Sequence, residues 1–146
     1  MILRTAARTA PALAAPALAA LALATALAPS LASAEVPLGE EQAFVEKKYD
    51  IDGGWSVVEE EGRTLIRFGD DFATRNGPDL KVFLSPTTIA DADGKNATDG
   101  SVLLGALASP DGGQDYVLPE GLSLEDFESV LVHCEEFSVL WGGGAL

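Results

Sequence analysis

From Trp55 onward the chain alternates short apolar runs with glycine-centred turns. The runs are Trp55–Val58, Thr64–Phe68, Leu80–Leu84, Val102–Leu107, Gln114–Leu118, Val130–His133 and Phe137–Trp141. The turn signals between them are Asp52-Gly53-Gly54, Glu61-Gly62, Asn76-Gly77-Pro78, Asp93-Gly94, Asp99-Gly100, Asp111-Gly112-Gly113 and Glu120-Gly121. Short β-prone runs at this spacing predict an all-β domain, an antiparallel β-sandwich or barrel-like fold of about seven to nine short strands. Long helical periodicity is absent. Two short helical stretches are predicted: Gly39–Lys48, and a capped turn at Ser123–Phe127 with Ser123 as N-cap.

Alternation orients two of the strands. Leu80, Val82 and Leu84 share a face while Lys81 points away, which predicts a half-buried strand. The run Val130-Leu131-Val132-His133-Cys134 is apolar on both faces, so it reads as a central strand covered on both sides. Cys134 then shares its face with Val130 and Val132, and His133 shares the other with Leu131. Pattern alone favours a buried Cys134.

The first 34 residues have a different character. Arg4 and Arg8 precede an uncharged Ala/Leu stretch that ends in Ala32-Ser33-Ala34, directly before the first acid, Glu35. This order of basic, apolar and small residues is that of a secretory signal peptide. A membrane anchor is the weaker reading, because the stretch is mostly alanine, carries Pro11, Pro16 and Pro29, and lacks a following basic cluster. The expected organisation is a signal peptide over 1–34 and one β domain over 35–146. The expected protein is exported, periplasmic or extracellular, with no transmembrane segment after cleavage.

Charge narrows the function further. The formal net charge of −14 becomes −16 once the two arginines of the leader are removed. Such a chain is not built to coat phosphate backbones, so nucleic acid is excluded as a partner. One cysteine excludes an internal disulfide framework and a four-cysteine zinc site, and one histidine excludes H-E-x-x-H. No G-x-S-x-G, P-loop or dinucleotide glycine motif occurs, and no independent catalytic activity is read.

The chemistry-bearing residues are therefore few. Cys134 is the only thiol; Glu135 and Glu136 follow it and no Lys or Arg adjoins it, which disfavours a reactive thiolate. A buried, inert cysteine and a redox centre both stay open. His133 and Cys134 are neighbours, but adjacent side chains of a regular strand point to opposite faces and cannot converge on one ion. Asp91, Asp93 and Asp99 are spaced like ligands of a calcium loop, yet the sixth position is Asn96 instead of Gly and the twelfth is Val102 instead of Glu, so the acidic-turn reading is favoured. Asn96-Ala97-Thr98 is also a glycosylation sequon. Asn76-Gly77-Pro78-Asp79 reads as a turn, with Gly77 supplying a permissive dihedral and Asp79 bonding local backbone, a ligand role for Asp79 being the minority reading. Trp55, Trp141, Tyr49 and Tyr116 read as core or edge aromatics.

Several segments together resemble one known family. They are Arg63-Thr64-Leu65, Phe72, the run Asn76–Ser85, Gly105-x-Leu107, Gly113-Gln114-x-Tyr116-x-Leu118-Pro119, and Phe127-x-Ser129-Val130-x-Val132-x-Cys134-x-x-Phe137-x-Val139-x-Trp141. In this order, from about Phe44 to Leu146, they are similar to the DM-thirteen domain, an electron-transfer domain. The resemblance implies a β-rich extracellular module with redox chemistry at Cys134, either as a free thiol or as ligand to a prosthetic group such as haem. It also implies an electron-transfer partner. From their positions in the sequence, His133 and Asp79 are kept as auxiliary candidates. His133 departs from the family, which usually has an aromatic, often Trp, before the cysteine. The alternative is a non-enzymatic β-sandwich module that binds a cell-surface partner or cations through its acidic surface.

Overall fold

The computed structural model describes residues 36–146. The leader, its cleavage point and the anchor alternative lie outside these residues. Eleven strands follow in chain order: β1 (Gln42–Ala43), β2 (Val45–Glu46), β3 (Ile51–Asp52), β4 (Gly54–Glu60), β5 (Arg63–Phe68), β6 (Ala73–Thr74), β7 (Leu80–Ser85), β8 (Val102–Ala106), β9 (Gln114–Val117), β10 (Ser129–Cys134) and β11 (Val139–Ala145). All seven predicted runs carry a strand. The four additional strands have two residues each, too short to leave an alternating pattern.

The strands form antiparallel sheets: β1-β4-β5-β9, β2-β11-β10-β7-β8, and the small pair β3-β6. Trp55, Val57, Ile66, Phe68 and Tyr116 of the four-stranded sheet share one core with Leu80, Val82, Leu84, Val130, Val132, Cys134 and Trp141 of the five-stranded sheet. This is a sandwich, with the apolar faces of two sheets removed from water against each other. Among the described residues, no helix is long and apolar enough to cross a membrane.

Three expectations need correction. Gly39–Lys48 is not helical: Gln42–Ala43 pairs with Gly54–Trp55, and Val45–Glu46 pairs with Gly142–Gly143. A ten-residue helix is marginal alone, and two open sheet edges offer its backbone better partners. β7 is covered on both sides instead of half-buried, since Phe83 joins a second cluster with Ile89, Ala92, Ala97, Leu131 and Leu140. That cluster exists because residues 86–101, between β7 and β8, fold over the outer face of the five-stranded sheet. Phe137 is not strand but turn, and 64% exposed. The capped turn does form: Leu124–Asp126 is a single 3-10 turn whose Ser123 side chain accepts from the Glu125 N–H.

The glycine run of β11 is required by packing. A Cβ on Gly142 would lie 2.6 Å from Ile51 Cγ2, and one on Gly144 would overlap the Trp55 indole. Glycine usually weakens a strand; here it lets other elements approach the backbone.

Candidate functional site

Cys134 ends β10, and all six residues of that strand are buried. It is 2% exposed. Its thiol donates to the Pro78 carbonyl at 3.0 Å. Pro78 belongs to the segment 75–79 that leads into β7, so the turn caps the sulfur. Asp79 closes that turn with φ 49°, a left-handed conformation that Asp tolerates better than most side chains. The sequence expectation had assigned the unusual dihedral to Gly77. Gly77 has a different role: a Cβ there would overlap the Trp141 ring.

Trp141 lies at an irregularity in the sheet. Val132 pairs with Gly142 and His133 with Leu140, which leaves Trp141 without a partner in β10. A bulge of this kind re-aims one side chain. Cross-strand partners share a face, so Val139 lies on the Cys134 side; Trp141, two residues on, is there by alternation, and the extra residue brings Gly142 to the same side. Trp141 is accordingly in the main core while Leu140 is in the outer cluster.

The result is a pocket of about 240 Å³ lined by Tyr49, Arg75, Gly77, Cys134, Phe137 and Trp141, together with Asn76, Pro78 and Val139. Tyr49 meets Trp141 edge-on, with ring centroids 4.9 Å apart. The Arg75 guanidinium lies 5.0 Å from the Tyr49 centroid, within cation–π range. Only Cys134 of this set was singled out for chemistry from the sequence. Arg75 left no signal at all, and Trp141 and Tyr49 were read only as core or edge aromatics.

His133 lies on the other side of the strand. It is 2% exposed, its Nε2 lies 3.2 Å from the Gly94 carbonyl, and its ring meets Phe83 edge-on. With Nε2 donating, Nδ1 is left buried and without a partner. His133 and Cys134 therefore do not converge.

Asp79 turns its side chain to Lys81, with Oδ1 3.2 Å from Nζ, and Lys81 also pairs with Glu135. These two carboxylates, Glu135 first, raise the Lys81 pKa above its ordinary value. The Asp79 carbonyl accepts from the Glu135 N–H at 3.2 Å. This group ties the end of β10 to the start of β7.

The acidic loop is internally bonded. The Lys95 and Asn96 N–H groups both donate to Asp93 Oδ1 and hold that carboxyl below the usual carboxylate range. Asp91 accepts from the Thr88 hydroxyl at 2.9 Å. Among the described residues, no group of three or more His, Cys, Asp or Glu side chains is placed to hold a metal ion, and Asp99 joins none.

A family model described as electron transfer DM13 matches residues 43–145, nearly the whole described domain. No curated protein and no solved structure matches the chain.

Proposed function

The chain belongs to the DM13 electron-transfer family, and on that premise we propose that it is an exported, single-domain redox module whose centre is the Cys134 thiol. The observation that carries the reading is the position of that thiol: 2% exposed, yet part of the wall of a pocket that opens to solvent. Export rests on the order of charged, apolar and small residues in the leader. In an oxidising compartment a freely exposed lone thiol would be lost to intermolecular disulfides. Beneath Pro78 and behind Tyr49 and Phe137 it is shielded from other proteins and still adjoins a space that a specific partner group can enter.

A lone thiol cannot close an internal disulfide. Its two-electron oxidised forms are a sulfenic acid or a mixed disulfide with a sulfur supplied by the partner. Haem does not fit this site. The sulfur is hydrogen-bonded to Pro78, the space beside it is about 240 Å³, and cofactor sites commonly span about 300–1,000 Å³. His133, the one histidine of the sequence, is on the opposite face of the strand.

The test joins thiol reactivity to one substitution. In a glutathione redox buffer the folded protein is expected to form a mixed disulfide at Cys134 slowly, and to run as a monomer on a non-reducing gel when freshly isolated. Cys134→Ser removes that response at a stability loss of about 1 kcal/mol or less, because the new hydroxyl can donate to Pro78 as the thiol does. A thiol that reacts only after denaturation would reduce Cys134 to a packing residue. N-terminal sequencing of the exported chain is expected to begin at Glu35; a start upstream of Ala32, or a protein retained in the membrane, would refute the cleaved leader.

A further inference from the structure

The bases of the domain are distributed unevenly. Among the described residues Arg63 pairs with Glu61, Arg67 with Glu60 and Asp115, and Lys81 with Asp79 and Glu135. The other bases after the leader, Lys47, Lys48, Arg75 and Lys95, make no ion pair there, and all are exposed. They gather at one place. Arg75 lines the pocket beside Cys134, Lys47 and Lys48 line a second pocket of about 370 Å³, and Val139 is a wall of both. Lys95 follows Gly94, another wall of the second pocket. Hydrogen bonds fix the arrangement: the Lys47 and Lys48 N–H groups donate to the Trp141 carbonyl at 2.9 and 3.2 Å, and the Tyr49 ring meets both Trp141 and Arg75.

Acids are scarce around these pockets. Of the 23 in the sequence, Asp93 alone lines either one, and its carboxylate is engaged by the Lys95 and Asn96 N–H groups. Glu46, Asp50 and Glu136 are exposed and adjoin the site in sequence, but none borders a pocket. Glu135 is paired with Lys81. A chain at −14 thus collects its unpaired cations at one end of the sandwich. The centre of that end is apolar: Phe137 is 64% exposed, and Tyr49 and Val139 are partly buried beside it. An aromatic centre with arginine, rimmed by charged groups, is the anatomy of a protein docking surface.

Charge complementarity selects the occupant. We propose that this end of the sandwich docks a partner protein through an acidic patch, its carboxylates against Lys47, Lys48 and Arg75 and an apolar side chain beside Phe137. Pockets on either side of Val139 accept protruding side chains, which a protein surface supplies and a flat bilayer does not. The negative field of the rest of the chain repels an acidic partner from other approaches, so the cations orient the encounter as well as holding it. A partner docked here covers the pocket whose wall includes the Cys134 sulfur. That this partner exchanges electrons rests on the reading of Cys134 as a redox centre; the docking face does not.

The test is an amide chemical-shift titration of the full protein with a short synthetic peptide of Asp and Glu around a central Phe. At an ionic strength of about 0.01 M, where charges act over about 30 Å, saturable binding is expected with a dissociation constant below about 1 mM. Shifts should centre on Lys47–Tyr49, Arg75–Gly77 and Ser138–Val139. Raising the ionic strength to about 0.15 M should weaken binding roughly tenfold. The double variant Lys48→Gln with Arg75→Gln, both surface changes, is expected to weaken it by roughly tenfold as well. Arg63→Gln with Arg67→Gln makes the same change in net charge and should stay within about twofold of the parent. Cys134→Ser should bind as the parent does, so an inert thiol beside an intact docking face sinks the redox centre alone. The proposal is overturned by an absence of saturation, by equal weakening in the two double variants, or by shifts centred on Arg63 and Arg67. It is also overturned if vesicles of phosphatidylcholine and phosphatidylglycerol bind in place of the peptide.

Discussion

His133 and Cys134 are adjacent in one strand and equally buried, each 2% exposed, yet they belong to different regions. Cys134 faces the space between the sheets, at a point where the seal is incomplete and a pocket lined by Tyr49, Arg75, Phe137 and Trp141 reaches it. His133 faces the outer side of the same sheet, where residues 86–101 close over Phe83, Leu131 and Leu140. The inner face carries one large indole, Trp141, which packs where Gly77 lacks a Cβ, and the glycines of β11 let Ile51 and Trp55 approach the backbone. The outer face is covered by a loop longer than most connections in compact domains, held by small apolar residues such as Ala92 and Ala97. Burial alone therefore does not distinguish a centre from a packing residue. What lies beyond the side chain does.

The two faces can be broken together or one at a time. Val132, at 0% exposure, precedes His133 and lies on the Cys134 side. Val132→Asp buries an unpaired charge between the sheets and is expected to remove more than about 4 kcal/mol of stability, abolishing cooperative melting. Unchanged thermal unfolding would mean that the inner face is not a core.

Gly77→Ala acts on the inner face alone. The added methyl displaces the Trp141 ring, an overpacking expected to lower stability by about 1–3 kcal/mol. It should also speed labelling of Cys134 by a small thiol reagent in the folded state, because the cap over the sulfur shifts with the indole. Urea unfolding and labelling kinetics on one preparation measure both, and unaltered labelling would show that the turn does not guard the thiol.

His133→Phe gives the smallest effect and the sharpest contrast. It loses the hydrogen bond to the Gly94 carbonyl but also removes the unpartnered Nδ1, so the net change is expected within about 1 kcal/mol. Cys134 labelling should match the parent. A large change in that rate would show that the loop side and the pocket side are coupled.

Much of this architecture was legible along the chain. Seven runs between glycine turns announced an antiparallel sandwich or barrel, because each turn needs residues that tolerate its dihedrals and each strand repeats its burial every second residue. The same period placed Val130, Val132 and Cys134 on one face and His133 on the other. Two-residue strands were beyond reach, since a pair of residues carries no period, and Gly39–Lys48 took its conformation from distant edges at Gly54 and Gly142. The pocket lay further out of reach. Its walls come from Tyr49, Arg75, Phe137 and Trp141, which no local spacing joins, and the slip between β10 and β11 that turns Gly142 to the same side as Trp141 leaves no mark in the sequence. By itself the sequence determined which residues alternate, where the chain turns and that there is one thiol, for these are local properties of dihedrals and side chains. Only the tertiary structure decided that the thiol borders a cavity and the histidine a sealed loop, because that depends on which distant segments compete for the two faces of one strand.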